Sequence, residues 1–138
     1  MAGILFLCVA NSARSQMAEG IARAIAPRDV SVCSAGSRPT SVRPEAIAVL
    51  REIGIDIAGQ RSKAVTEIAS SAIDTVITLC REEECPVFLG GARRLHWGLP
   101  DTAVAGGSEA ERLSAFREVR DKLHQLIVNY FNNPLLGQ

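Results

Sequence analysis

Along this chain, short apolar runs alternate with stretches whose apolar residues recur every three or four positions. Residues 3–9 are almost continuously apolar and predict a strand buried on both faces. Met17, Ile21 and Ile25 then mark one helical face within residues 15–26, which Pro27 ends. A second strand is expected over residues 30–35. Pro44 suits the first turn of a second helix, with Ala46, Leu50 and Ile53 facing inward and Gly54 as its stop. A short helix is expected over residues 66–71. Residues 74–79 are rich in β-formers and end at Cys80, and a weaker strand is expected over residues 93–97. The last helix carries Leu113, Phe116, Val119, Leu123, Leu126 and Tyr130 at spacings of three and four, a core-facing stripe. This order predicts a three-layer α/β domain built on a parallel sheet covered on both faces, as one domain over residues 1–138.

Composition narrows the partners. Apolar residues make up 47% of the 138 positions and charged ones 22%, within the globular range. No apolar run approaches the roughly 20 residues of a membrane span. The apolar start lacks a basic leader and is soon broken by Asn11 and Arg14, so it reads as a strand, and a cytoplasmic location is expected. Fifteen basic and fifteen acidic residues cancel, which argues against nucleic acid or an anionic membrane as partner. An anionic ligand would need a local site.

Four cysteines are present: Cys8, Cys33, Cys80 and Cys85. In a reducing compartment, pairing among them would be transient and catalytic. Cys33 lies in the strand-like 30–35 segment and is expected to be a small buried hydrophobe. Cys8 and Cys80 fall at the carboxyl ends of predicted strands, where open α/β folds gather their sites. His96 and His124 are too isolated for a metal centre, Trp97 is expected in the core or the crevice wall, and neither metal nor organic cofactor is expected.

The segment Cys8-Val9-Ala10-Asn11-Ser12-Ala13-Arg14-Ser15 runs from a buried strand into a helix. Curled around a tetrahedral oxyanion, such a loop converges backbone N–H groups on its oxygens, and the helix adds its positive end. The planar fork of Arg14 can clamp two oxygens. The same setting favours the thiolate of Cys8, toward which Ser15 can donate a hydrogen bond.

This loop resembles that of the low-molecular-weight protein tyrosine phosphatase-like superfamily, especially its thioredoxin-coupled arsenate reductases. The similarity continues through Ser15-Gln16-Met17-Ala18-Glu19-Gly20, Ser34-Ala35-Gly36, Val76-Ile77-Thr78-Leu79-Cys80 and His96-Trp97-Gly98-Leu99-Pro100-Asp101. It implies a four-stranded parallel sheet flanked by helices. It also implies that residues 9–15 (Val9, Ala10, Asn11, Ser12, Ala13, Arg14 and Ser15) hold arsenate, with phosphate or sulfate competing. Cys8 then attacks arsenic while Asp101, the late general acid, protonates the leaving oxygen. By the same resemblance Cys80 attacks Cys8, releasing arsenite, Cys85 attacks Cys80, and thioredoxin reduces the final disulfide.

Residues 81–84 are helix-prone. In a straight helix, positions five apart lie more than about 8 Å from each other, too far for a disulfide, so pairing Cys80 with Cys85 should unwind them. The alternative is a phosphatase working through a Cys8 phospho-enzyme, with Cys80 and Cys85 incidental. Against it, Asp101-Thr102-Ala103 replaces the phosphatases' Asp-Pro-Tyr, and the single tyrosine, Tyr130, lies on the helical core stripe. A non-enzymatic arsenite binder would leave Arg14 and Ser15 without a purpose. Some relatives bind potassium near the loop. Asn11, Glu19 and Ser34 match that site, but its fourth position holds Lys63, which would either pair with Glu19 in the cation's place or be a solvated charge.

Overall fold

The computed structural model describes residues 2–80, 91–100, 102 and 107–132. Four strands, β1 (Ala2–Cys8), β2 (Val30–Gly36), β3 (Thr75–Thr78) and β4 (Arg93–His96), form one parallel sheet in the order β2-β1-β3-β4. The continuously apolar first strand is therefore central, as its composition predicts. Its side chains alternate between two clusters: Ile4 and Phe6 enter one, Leu5 and Leu7 the other.

Three helices, α1 (Arg14–Ile25), α2 (Pro44–Arg51) and α3 (Glu109–Asn132), pack on the Ile4–Phe6 face through Met17 and Ile21, Val49 and Leu50, and Phe116, Val119, Leu123 and Ile127. The opposite face is covered more thinly, by Val65, Ile68 and Ile73 from two single-turn 3-10 helices and the segment after them. The expected short helix over residues 66–71 is thus two separate 3-10 turns, Val65–Glu67 and Ser70–Ala72.

Helix limits follow local chemistry. Ala26, before Pro27, turns to an extended conformation (ψ 148°) and ends α1. Pro44 occupies the first turn of α2. That helix stops at Arg51, earlier than expected, and Gly54 reverses the chain at φ +81°. Ile53 falls in this turn and is 40% exposed, so it does not join Ala46 and Leu50 in the core. On α3 the buried stripe runs through Ile127, while Leu126 is only half-buried, because successive steps of four follow the 3.6-residue turn more closely there. Trp97 bridges Phe6 and Tyr130 at centroid distances of 6.2 and 6.3 Å, which makes it core wall. No helix among the described residues is long and apolar enough to cross a membrane.

Candidate active site

β1 ends at Cys8, and α1 begins six residues later at Arg14. The intervening loop is held from outside. The amides of Arg38, Thr40 and Arg43 donate to the carbonyls of Val9, Ala10 and Ser12 at 2.9, 3.1 and 2.9 Å. Ser62 Oγ donates to the Ala10 carbonyl, and Gln16 Nε2 to the Asn11 carbonyl. In a trans peptide the N–H points opposite to its C=O. Fixing these four carbonyls outward therefore turns the N–H groups of Ala10, Asn11, Ser12 and Ala13 to the inner side. That is the cradle a tetrahedral oxyanion requires.

Asn11 sets the curl. It has φ +49°, a left-handed conformation that asparagine tolerates better than most residues, and it is fully buried. Its side chain is saturated: Nδ2 donates to Ser15 Oγ (2.7 Å) and Ser34 Oγ (3.0 Å), while Oδ1 accepts from Gln16 Nε2 (2.9 Å) and the Lys63 amide (2.9 Å).

The Cys8 sulfur and Ser15 Oγ stand 2.8 Å apart, both buried. Since Ser15 Oγ already accepts from Asn11, its own hydrogen is available to the sulfur. Arg14 is 3% exposed, and its NH1 donates to the carbonyls of Leu79 (3.4 Å) and Leu99 (3.1 Å). The guanidinium is thereby anchored between the end of β3 and the segment after β4.

A polar chain continues away from the sulfur. Ser15 is linked through Asn11 to Ser34, whose hydroxyl donates to Glu19 Oε1 at 2.6 Å. Lys63 Nζ meets the same oxygen at 3.4 Å, and Arg23 NH2 meets Glu19 Oε2 at 3.2 Å. Lys63 therefore pairs with Glu19, as one of the two readings of that lysine expects. Among the described residues no cluster of three or more His, Cys, Asp or Glu side chains could hold a metal.

Cys80 is buried just beyond β3, and the Leu7–Thr78 pairing sets the carboxyl ends of β1 and β3 side by side. Cys80 is disulfide-bonded, whereas Cys8 and Cys33 are free thiols. Cys33 is half-buried on β2 and not fully enclosed. Burial, and next the nearby Glu19 charge, push its thiol above the usual range, against smaller opposing effects of Lys63 and Arg23. Cys85 and Asp101 lie outside the described residues.

Sequence reasoning named Gln16 and Gly36 only within the segments of family similarity, and it missed their role in holding the loop along with Gln60, Ser62 and the strap over residues 38–43. Only Gly36, a glycine closing a strand beside Cys8, left a local signal.

The comparisons agree with this geometry. The model of the low molecular weight phosphotyrosine protein phosphatase family matches residues 3–135. An arsenate reductase of Oceanobacillus iheyensis is 41% identical over 122 residues, covering 87% of this chain and 88% of its own. Among solved structures, an arsenate reductase in the phosphate-binding state superposes with a TM-score of 0.79 at 34% identity, covering 96% of this chain and 98% of that one. A thioredoxin-dependent arsenate reductase of Corynebacterium glutamicum gives 0.73 at 27% identity, covering all of this chain and 64% of that one.

Proposed function

The chain belongs to the low molecular weight phosphotyrosine protein phosphatase family as one of its arsenate reductases, and from that premise we propose that it reduces arsenate by a three-cysteine relay regenerated by thioredoxin. Arsenate enters the cradle of inward N–H groups at the start of α1, where Arg14 neutralises its charge. The Cys8 thiolate attacks arsenic, and Asp101 protonates the oxygen that leaves as water. Cys80 then attacks the Cys8 sulfur. The electron pair of the S–As bond passes to arsenic, which departs as arsenite, and a Cys8–Cys80 disulfide remains. Cys85 attacks Cys80 and frees Cys8, and a thioredoxin dithiol reduces the resulting Cys80–Cys85 bond.

One observation carries this reading: Cys80 is disulfide-bonded while Cys8, at the neighbouring strand end, is free. That is the thiol state a relay leaves once its nucleophile has been released. Lys63 on Glu19 further supports a loop that works without potassium.

The test is NADPH consumption with arsenate, thioredoxin and thioredoxin reductase. Native protein should turn over, and Cys8→Ser, Cys80→Ser and Cys85→Ser should each lose at least about 1000-fold, as expected when members of one catalytic unit are removed. Phosphate should inhibit competitively. Absence of native turnover, with brisk Cys8-dependent phosphoester hydrolysis, would mean a phosphatase.

A further inference from the structure

A second charged feature lies on the flank of α1 that faces residues 55–63, away from Arg14 and the carbonyls it holds. It is a cavity of about 520 Å³ with Glu19, Arg23, Asp56, Gln60, Arg61 and Lys63 in its wall. No residue of the 8–15 loop lines it. Its volume lies in the range of small-molecule sites.

The wall has more cation than anion. Three cations face two carboxylates, and both carboxylates are engaged. Glu19 is 2% exposed, with one oxygen bonded to Ser34 and Lys63 and the other to Arg23. Asp56 Oδ1 accepts from the Ala58 amide at 2.9 Å and stands 3.8 Å from Arg51. Arg61 pairs with Glu67 at 2.9 Å. Including these outer partners, four cations (Arg23, Arg51, Arg61, Lys63) still exceed three carboxylates (Glu19, Asp56, Glu67), so one positive charge is left over. The Arg23, Arg61 and Asp56 side chains stand at the rim, 56%, 68% and 72% exposed, whereas Lys63 and Glu19 lie at the back. An entering ligand therefore meets guanidinium groups before Glu19.

The cavity also communicates with the nucleophile. Lys63, Glu19, Ser34, Asn11, Ser15 and Cys8 form one unbroken series of polar contacts from its wall to the sulfur. A second path runs from Gln60 Nε2 to Gln16 Oε1 at 2.7 Å, and from Gln16 to Asn11.

We propose that this cavity is a regulatory site for a small organic anion carrying two or more carboxylate or phosphate groups, and that its occupancy changes the reactivity of Cys8. An anion drawing on Lys63 and Arg23 loosens their hold on Glu19. The Ser34–Asn11–Ser15 contacts then readjust at the sulfur. The inference does not rest on the relay, because neither readout below involves Cys80 or Cys85.

The experiment titrates the full-length reduced protein with citrate and, separately, with fructose 1,6-bisphosphate at constant ionic strength. Calorimetry reads binding, and mass spectrometry reads the iodoacetamide rate at Cys8. Saturable one-to-one binding of either probe is expected, weakened at least about tenfold by Lys63→Gln and by Arg61→Gln and retained in Arg14→Gln. The Cys8 alkylation rate should change by about threefold or more over the same concentrations. Citrate alone binding would assign the site to carboxylates, and the bisphosphate alone would assign it to phosphate groups. Absence of saturable binding by both probes would overturn the proposal. So would binding abolished by Arg14→Gln but kept in Lys63→Gln and Arg61→Gln, which would place the anion in the catalytic loop. Binding that leaves Cys8 alkylation unchanged would overturn its regulatory character.

Discussion

Gly36 pairs with Cys8 in the sheet, and a β-carbon placed on it would press on the Val9 carbonyl and stand 2.9 Å from the Cys8 carbonyl and 3.0 Å from the Asn11 amide. All three neighbours are backbone of the anion loop, which is tied on its other side to residues 38–43 and has nowhere to retreat. Gly36→Ala should therefore cost about 1–3 kcal/mol in urea unfolding, as overpacking does, and weaken phosphate binding by at least about tenfold by calorimetry. A variant as stable and as tight-binding as the native protein would show that the loop shifts without cost. Cys8, Arg14 and Ser15 were legible because their relation is local, a strand end running into a helix start. Gln16 and Gln60 were not. Their contacts join residues 44 positions apart, and neither periodicity nor residue type announces that a glutamine at the start of a helix will be buried.

At the scale of elements, the order of the strands and the three long helices was legible because short apolar runs alternate with stretches of helical period, whereas the weakly patterned 66–71 segment formed 3-10 turns instead. The ends were less so. Ile53 looked like one more core position of α2, but a turn cannot keep the helical phase. Which helices share a face was also hidden, since α2 and α3 meet both in the shared core and through polar contacts between residues 65 to 68 positions apart. Glu52, just beyond α2, accepts from Arg117 Nε and NH2 on α3 at 2.9 and 2.7 Å and from Arg120 NH1 at 2.7 Å. Hydrogen bonds from Arg117, then from Arg120, lower its carboxyl from 4.5 to about 2. A lowered carboxyl stabilises the fold above its unfolded value, and that contribution fades as pH falls toward the folded one. Calorimetric melting should accordingly place Glu52→Gln below the native protein near neutral pH, with the gap closing between pH 4.5 and about 2. Because the clamp is solvent-exposed, added salt should also narrow the gap. A gap independent of pH would show that packing, not charge, joins these helices.

Taken whole, the molecule places its earliest strand at the centre of its sheet. β1 is flanked by β2, which ends at Gly36, and by β3, which begins at Thr75. The carbonyls and the Asn11 side chain of the anion loop are tied from outside by residues 38–43, Ser62 and Lys63. A fragment comprising residues 1–70 contains the entire loop but lacks β3, and α3 with its share of the core. Far-UV circular dichroism should show it largely unfolded, and it should not bind phosphate measurably. Native-like ellipticity from the fragment would show that β1, β2 and their helices suffice.

The central position of β1 has a consequence on the ribosome. Synthesis delivers Cys8 almost seventy residues before the strand that closes its second side. At translation rates of about 5–20 residues per second, the thiol spends several seconds on an unfinished chain without its loop. Throughout that interval the sulfur lacks its enclosing sheet and the ties that hold its loop, which leaves it more open to oxidants and electrophiles than in the finished fold. An arsenical stress that demands new copies of the protein would thus meet each copy first at its least protected moment.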